Sequence, residues 1–326
     1  MSEGVSPLVG TLRRARAVAV ARVVAGGFEV LSRVGSATPL ARPERYGAEL
    51  AGRDLPYGPH PRQTVDIYRP VESNGPAPVM VYFHGGGFRA MSKDTHWLMA
   101  LRFARAGFVV VNVDYRLAPE SPFPAAAQDA CAAIRLAVDL AGRYGGDPTR
   151  LLIAGESAGA NLTAVATIAC CFERPEPWAR AVFDLGVVPR ASLPACGILQ
   201  VSDTERFTRA KPLPLISRDA LRDPEAAYLK RSLSGDVELA DPLLVMERAA
   251  RADRPLPPHF LPCGTKDPLL DDTRRMAAAV TRLGGESILR VYPGEIHAFH
   301  ALVWRPAARR CWEEMTQFAL DRSALP

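Results

Sequence analysis

Lysine is scarce in this 326-residue chain: Lys93, Lys211, Lys230 and Lys266 are the only four, and the other 36 basic residues are arginine. The arginines stand mostly singly or in pairs, without a basic run interleaved with aromatics. A net charge of +5 spread this way does not describe a nucleic-acid surface, so no nucleic-acid partner is expected. No C-x-x-C spacing occurs among the six cysteines, Cys131, Cys170, Cys171, Cys196, Cys263 and Cys311. Most of them fall in apolar segments, which argues against a disulfide framework and for small core residues in a reducing, cytoplasmic compartment. No apolar run reaches 18 residues, so no stable membrane insertion is expected. Arg13-Arg14-Ala15-Arg16 precedes a short apolar run, but Arg22 ends that run too early for a signal peptide. Leu8, Leu12, Val20, Val23, Val24, Phe28 and Leu31 recur at helical spacing instead, and predict an amphipathic helix packed on its own protein. Internal repeats and low-complexity tracts are absent.

What is present is a rhythm of buried strands and helices. The length and a 48% hydrophobic content suffice for one large α/β core. Ala41 to Pro61 is rich in Pro and Gly and reads as loop; Val65–Arg69 alternates and reads as an edge strand. Pro78–Phe83, Phe108–Val113 and Leu151–Ala154 are near-continuous apolar runs, hence central strands. A helix over Thr95–Ala106 stops at Gly107, and a second carries its period from Ala127 toward Tyr144. Further strands are expected at Cys196–Val201, His259–Cys263 and Ser287–Tyr292, with a last helix over about Pro306 to Leu320. The alternation predicts a mostly parallel sheet covered by helices on both faces. Two stretches break it: Phe172 to Pro194, long for one connection, and Asp203 to about Ala240, whose helical pieces (Asp219–Leu233 especially) suit a lid over the strand ends.

Gly155-Glu156-Ser157-Ala158-Gly159 follows the third central strand and opens a small-residue helical run. Such a turn lifts the Ser157 hydroxyl clear of the sheet and aims the Ala158 amide at the same point. A serine hydroxyl is a weak nucleophile and needs a base, a group to orient that base, and oxyanion donors. Ligands of parallel sheets sit beyond the carboxyl ends of the strands, so the partners are sought there. Asp267 is the acid candidate, with Asp271 and Asp272 as rivals read as the first turn of the next helix. His297 is the base candidate and His300 its rival. Of the others, His60 lies in a loop before the sheet, His96 in a helix and His259 at the wrong end of a strand. The donors come from His84-Gly85-Gly86-Gly87-Phe88, through Gly85, Gly86 and Gly87, together with Ala158; His84 reads as a brace for that loop. No Lys-Ser/Thr follows the glycines, so the loop is not a phosphate cradle, and neither a cofactor nor a metal is called for.

These residues, with Asp114-Tyr115-Arg116-Leu117-Ala118-Pro119-Glu120, the Gly146-Asp147-Pro148 turn, Asp267-Pro268-Leu269 and His297-Ala298-Phe299, resemble the hormone-sensitive-lipase-like family of esterases, in order from about Val65 to the C-terminus. The resemblance implies an α/β-hydrolase fold with a helical cap. The corresponding organisation is 1–50 as N-terminal cap and entry, 51–202 as the first part of the core, 203–240 as cap insertion, and 241–326 as the second part of the core. It implies a triad of Ser157, Asp267 and His297 in a serine carboxylesterase acting on short- to medium-chain esters through an acyl-enzyme. The partner is a small-molecule ester; oligomeric state stays open, since an exposed edge strand or the final helix could pair in a homodimer but composition does not report it. The chain departs from the family pattern at Glu156, where many members have Asp or Thr, at Ala160, where many have Gly, and in the length of Phe172–Pro194. The same triad permits amide, lactone or β-lactam hydrolysis. A lipase acting at oil interfaces is a further alternative, and a hormone receptor on this fold is disfavoured because His297 is present.

Overall fold

The computed structural model describes residues 26–27, 29–30, 32, 34–210, 213, 215–229 and 237–324. Those between 26 and 36 are largely helical, but the expected amphipathic positions Leu8 to Leu31 lie outside the described residues. The eight strands are β1 (Ala48–Pro56), β2 (Thr64–Pro70), β3 (Ala77–Phe83), β4 (Val109–Val113), β5 (Gly146–Glu156), β6 (Ala191–Ala195), β7 (His259–Gly264) and β8 (Ser287–Tyr292). They form one sheet in the order β1-β2-β4-β3-β5-β6-β7-β8. β2 runs antiparallel to β1 and β4, and every other pairing is parallel. The carboxyl ends of β3 to β8 therefore share one edge of the sheet.

The central strands read as unbroken apolar runs because both faces are covered. Alternate residues of β3 serve alternate layers: Val79, Val81 and Phe83 pack with one core cluster, Met80 and Tyr82 with the other. Helices α1 (Trp97–Arg105) and α9 (Pro306–Ser323) close the second face with Leu101, Phe103, Trp312 and Met315. The first face is closed by α2 (Ala125–Leu140), α3 (Ala158–Cys171), α4 (Pro177–Phe183), α7 (Pro242–Arg248) and α8 (Leu270–Arg282). Helix α3 is buried at every position, as its run of alanines with Leu162, Val165 and Ile168 requires. Between the two halves of the core, the 203–240 segment holds α5 (Glu205–Ala210) and α6 (Leu215–Tyr228).

Four expectations are corrected. The loop expected over Ala41–Pro61 contains β1, so Val65–Arg69 is not an edge but is flanked on both sides. β1 is half exposed and irregular in register, which is why no apolar pattern marks it. The strand expected at Cys196–Val201 lies five residues earlier, at Ala191–Ala195. Cys196–Val201 is a largely buried non-strand segment in which, beyond the Cys196 amide that meets the Pro262 carbonyl of β7, several backbone groups are satisfied by side chains. Asp272 Oδ2 accepts from the amides of Leu199 and Gln200, Asp241 Oδ1 from those of Val201 and Ser202, and Asn161 Nδ2 donates to the Ile198 carbonyl. Burial without sheet pairing has the same hydropathy as a buried strand, so sequence pattern could not separate them. Lastly, His96 precedes α1 rather than lying inside it.

All six cysteines are buried and free. Among the described residues no helix is long and apolar enough to cross a membrane.

Candidate active site

The elbow is built by close approach. β5 ends at Glu156, α3 starts at Ala158, and Ser157 between them takes φ 54°, ψ −114°, a strained conformation held by its surroundings. A Cβ on Gly159 would lie 2.1 Å from the Phe83 carbonyl oxygen, and one on Gly155 2.5 Å from that of Gly159. Only glycine at both places lets helix, strand and neighbouring strand meet this closely. The Ser157 amide donates to the Ala195 carbonyl at 3.0 Å and its carbonyl accepts from Ile198 N at 3.3 Å, which fixes the strained residue from the β6 side.

The structure brings Ser157, His297 and Asp267 together from three strand ends. Ser157 Oγ lies 3.0 Å from His297 Nε2, and His297 Nδ1 lies 2.8 Å from Asp267 Oδ2. Asp267, 4% exposed, follows β7, and its other oxygen accepts from the Leu269 amide at 2.8 Å. Its carboxylate plane is thus fixed from both sides, and it orients the imidazole. His297 follows β8 and is half-buried, with Ala298 in the left-handed region at φ 52° beside it. Burial alone lowers the proton affinity of His297. The charge and hydrogen bond of Asp267, and then the charge of Glu156, outweigh burial and hold its pKa above the ordinary histidine value.

The glycine loop follows β3. Gly86 (φ +112°) and Gly87 (φ +60°) form a tight turn, closed by the Arg89 and Ala90 amides donating to the Gly86 carbonyl at 3.1 Å. Among the described residues no acceptor partners the amides of Gly86, Gly87 or Ala158, which leaves them open to a substrate oxygen. His84 braces the loop: its ring stacks on Tyr115 at 4.1 Å, Nδ1 donates to the Gly85 carbonyl at 2.6 Å, and the Tyr115 hydroxyl donates to the His84 carbonyl at 2.8 Å. The 203–240 segment lies against the same loop. Tyr228 stacks on Phe88 with ring centroids 3.8 Å apart, and Pro224 Cγ sits 3.0 Å from where a Gly87 Cβ would be.

The rival residues lie elsewhere. Asp271 is exposed. Asp272 is fully buried, pairs with Arg206 at 2.6 Å and holds the segment after Cys196, so it is more than a charge at a helix start. His60 caps its own turn, accepting from Arg62 N. His259 donates to the Pro257 carbonyl, and burial pushes its pKa down to about 4. His300 and His96 both donate to Glu156, a contact that sequence reasoning missed because the partners are 144 and 60 residues from it. Among the described residues one grouping of metal-ligand type occurs, Cys196, Asp267 and His297, with ligand atoms within 4.8 Å. Two of its members are the hydrogen-bonded acid and imidazole, and the third is a buried thiol.

Comparison with known proteins identifies the family and the fold. A family model described as the alpha/beta hydrolase fold matches residues 80–301. The carboxylesterase NlhH of Mycobacterium tuberculosis is 33% identical over 240 residues, spanning 72% of this chain and 70% of that protein. Among solved structures, a bacterial heroin esterase superposes with a TM-score of 0.74 at 25% identity, covering 92% of this chain and 91% of that one. The esterase LipW of Mycobacterium marinum gives 0.72 at 28% identity, covering 93% and 90%.

Proposed function

From the premise that this chain belongs to the α/β-hydrolase fold family, in its hormone-sensitive-lipase-like carboxylesterase branch, we propose that Ser157 is its nucleophile, His297 its general base and acid, and Asp267 the orienting carboxylate. The protein is a carboxylesterase, hydrolysing carboxylic esters. Ser157 Oγ attacks the ester carbonyl carbon as His297 Nε2 takes its proton. The carbonyl oxygen becomes an oxyanion facing the amides of Gly85, Gly86, Gly87 and Ala158. The imidazolium, stabilised by Asp267, then protonates the departing alkoxide, which leaves as the alcohol. Water, deprotonated by the same nitrogen, attacks the acyl-enzyme and releases the acid. The observation that carries this reading is the unbroken chain of contacts Ser157 Oγ, His297 Nε2, His297 Nδ1, Asp267 Oδ2 at 3.0 and 2.8 Å.

Short- to medium-chain acyl groups suit a donor loop roofed at Gly87 by Pro224 and at Phe88 by Tyr228. The ligand is a small-molecule ester rather than a nucleic acid. A cytoplasmic location is supported by six free, buried cysteines, and a homodimer has two sheet edges, β1 and β8, available to it. Hydrolysis of p-nitrophenyl acetate to palmitate by the wild type and by Ser157→Ala tests the assignment. Turnover falling at least about 10⁴-fold supports it, and turnover by Ser157→Ala within tenfold of wild type overturns it.

A further inference from the structure

Immediately before the nucleophile stands a carboxylate that the ester mechanism does not use. Glu156 is 4% exposed. His96 Nε2 donates to its Oε1 at 2.8 Å, and His300 Nε2 donates to its Oε2. A Cβ on Gly85 would lie 3.2 Å from Glu156 Cγ and 3.3 Å from its Oε1, so the donor loop rests on this side chain. One carboxylate therefore touches the loop after β3, the elbow after β5 and, through His300, the turn that carries the base after β8. His96 adds the segment leading into α1, where its Nδ1 lies 2.8 Å from Thr95 Oγ1. Burying an anion is costly unless it is fully paired, and a neutral or apolar side chain would pack here without that cost.

We propose that Glu156 is a positioning residue for ester hydrolysis: its carboxylate sets the spacing of the donor loop and the base loop about Ser157, and its charge supports the imidazolium that His297 becomes. The inference rests on the reading of Ser157, His297 and Asp267 as the triad. Burial alone would raise the Glu156 pKa, but His300 and then His96 pull it well below the usual carboxylate range, so the group is an anion at neutral pH. His297 is faced by Asp267 from beyond β7, by Cys196 from beyond β6, and by Ser157 and Glu156 from the elbow. Beyond its two histidines, Glu156 is faced by the buried phenols of Tyr82 and Tyr115, which its charge helps to keep neutral.

Two substitutions separate charge from reach. Glu156→Gln keeps the shape and removes the charge; Glu156→Asp keeps the charge and shortens the reach by one methylene. Both are assayed on p-nitrophenyl butyrate from pH 5 to 9, with competent sites counted by fluorophosphonate labelling and folding followed by Tm. For Glu156→Gln, kcat is expected to fall about 10- to 100-fold, as small misplacements of reacting groups do, with KM within about threefold. Its acid limb moves to lower pH, because losing the anion lowers the proton affinity of His297. Glu156→Asp lowers kcat and leaves the acid limb at the wild-type position. A folded Glu156→Gln with kcat within twofold of wild type overturns the inference, and so does an acid limb that stays put in it, which reduces Glu156 to packing. If Glu156→Gln does not fold, Glu156→Asp decides alone: kcat lowered at an unmoved limb supports the proposal, wild-type kcat overturns it. Ser157→Ala run alongside keeps the two readings apart. An active Ser157→Ala removes the triad itself, whereas an inactive one beside an indifferent Glu156→Gln removes only the role given to Glu156.

Discussion

Two clusters of imidazole and carboxylate flank the same elbow residue by residue. On the Ser157 side, Asp267 holds one nitrogen of His297 and leaves the other aimed at a hydroxyl, with the imidazole half exposed. On the Glu156 side, one carboxylate is gripped by His96 and His300, and all three are buried. The chemical groups are the same, and the difference is access. An imidazole held by a carboxylate acts as base only if its other nitrogen can meet substrate protons, and in the Glu156 cluster both rings are buried, with His96 Nδ1 already against Thr95 Oγ1. The first cluster is built to exchange a proton, the second to hold three loops in place around that exchange.

That contrast is broken most directly by deleting one imidazole from each side. His297→Ala is expected to cut kcat/KM by about 10⁴-fold or more and to cost about 1–3 kcal/mol of unfolding free energy, since the buried Asp267 carboxylate loses its imidazole donor. His96→Ala is expected to cost far less catalysis, at most the about 10- to 100-fold expected of Glu156→Gln, while unfolding free energy falls by about 3 kcal/mol or more because the buried Glu156 carboxylate loses a donor. Denaturant titration beside ester kinetics on both variants measures the split, and equal catalytic losses would erase the distinction. A backbone test comes next. Gly159→Ala puts a methyl 2.1 Å from the Phe83 carbonyl and is expected to cost at least about 3 kcal/mol, read as a lowered Tm or loss of soluble protein. The smallest effect is in pH. His297 must be neutral to accept the Ser157 proton, and its pKa is raised, so the acid limb of kcat/KM for p-nitrophenyl butyrate should lie above about 6.5. By the same sign, the stability gained from protonated His297 is present below about 6.5 and is lost as pH rises through the folded-state pKa.

That Ser157, Asp267, His297 and the glycine loop lie near one another was legible because each follows a strand, and a parallel sheet gathers such positions at one edge. The fold class was legible because Pro78–Phe83 and Phe108–Val113 are buried on both faces and, Asn112 apart, are apolar throughout. β1 was not legible, since a half-exposed edge containing Gly52 and Pro56 carries no alternation. β6 was not legible either, since its five residues include Ser192 and Pro194 while the more apolar Cys196–Val201 follows it. What distinguishes the two is whether backbone groups meet a ladder or the side chains of Asp272, Asp241 and Asn161, and that depends on residues 37 or more positions away.

By itself, then, the sequence determined the α/β architecture and put Ser157, Asp267, His297 and the Gly85–Gly87 loop forward as candidates at strand ends, because local hydropathy and turn glycines are properties of neighbours in the chain. Only the tertiary structure decided which of the six histidines meet which carboxylates. It joined His96 and His300 to Glu156, His297 to Asp267, and Pro224 and Tyr228 to the donor loop, since those contacts join residues far apart in sequence and exist only once the strands are ordered β3-β5-β6-β7-β8.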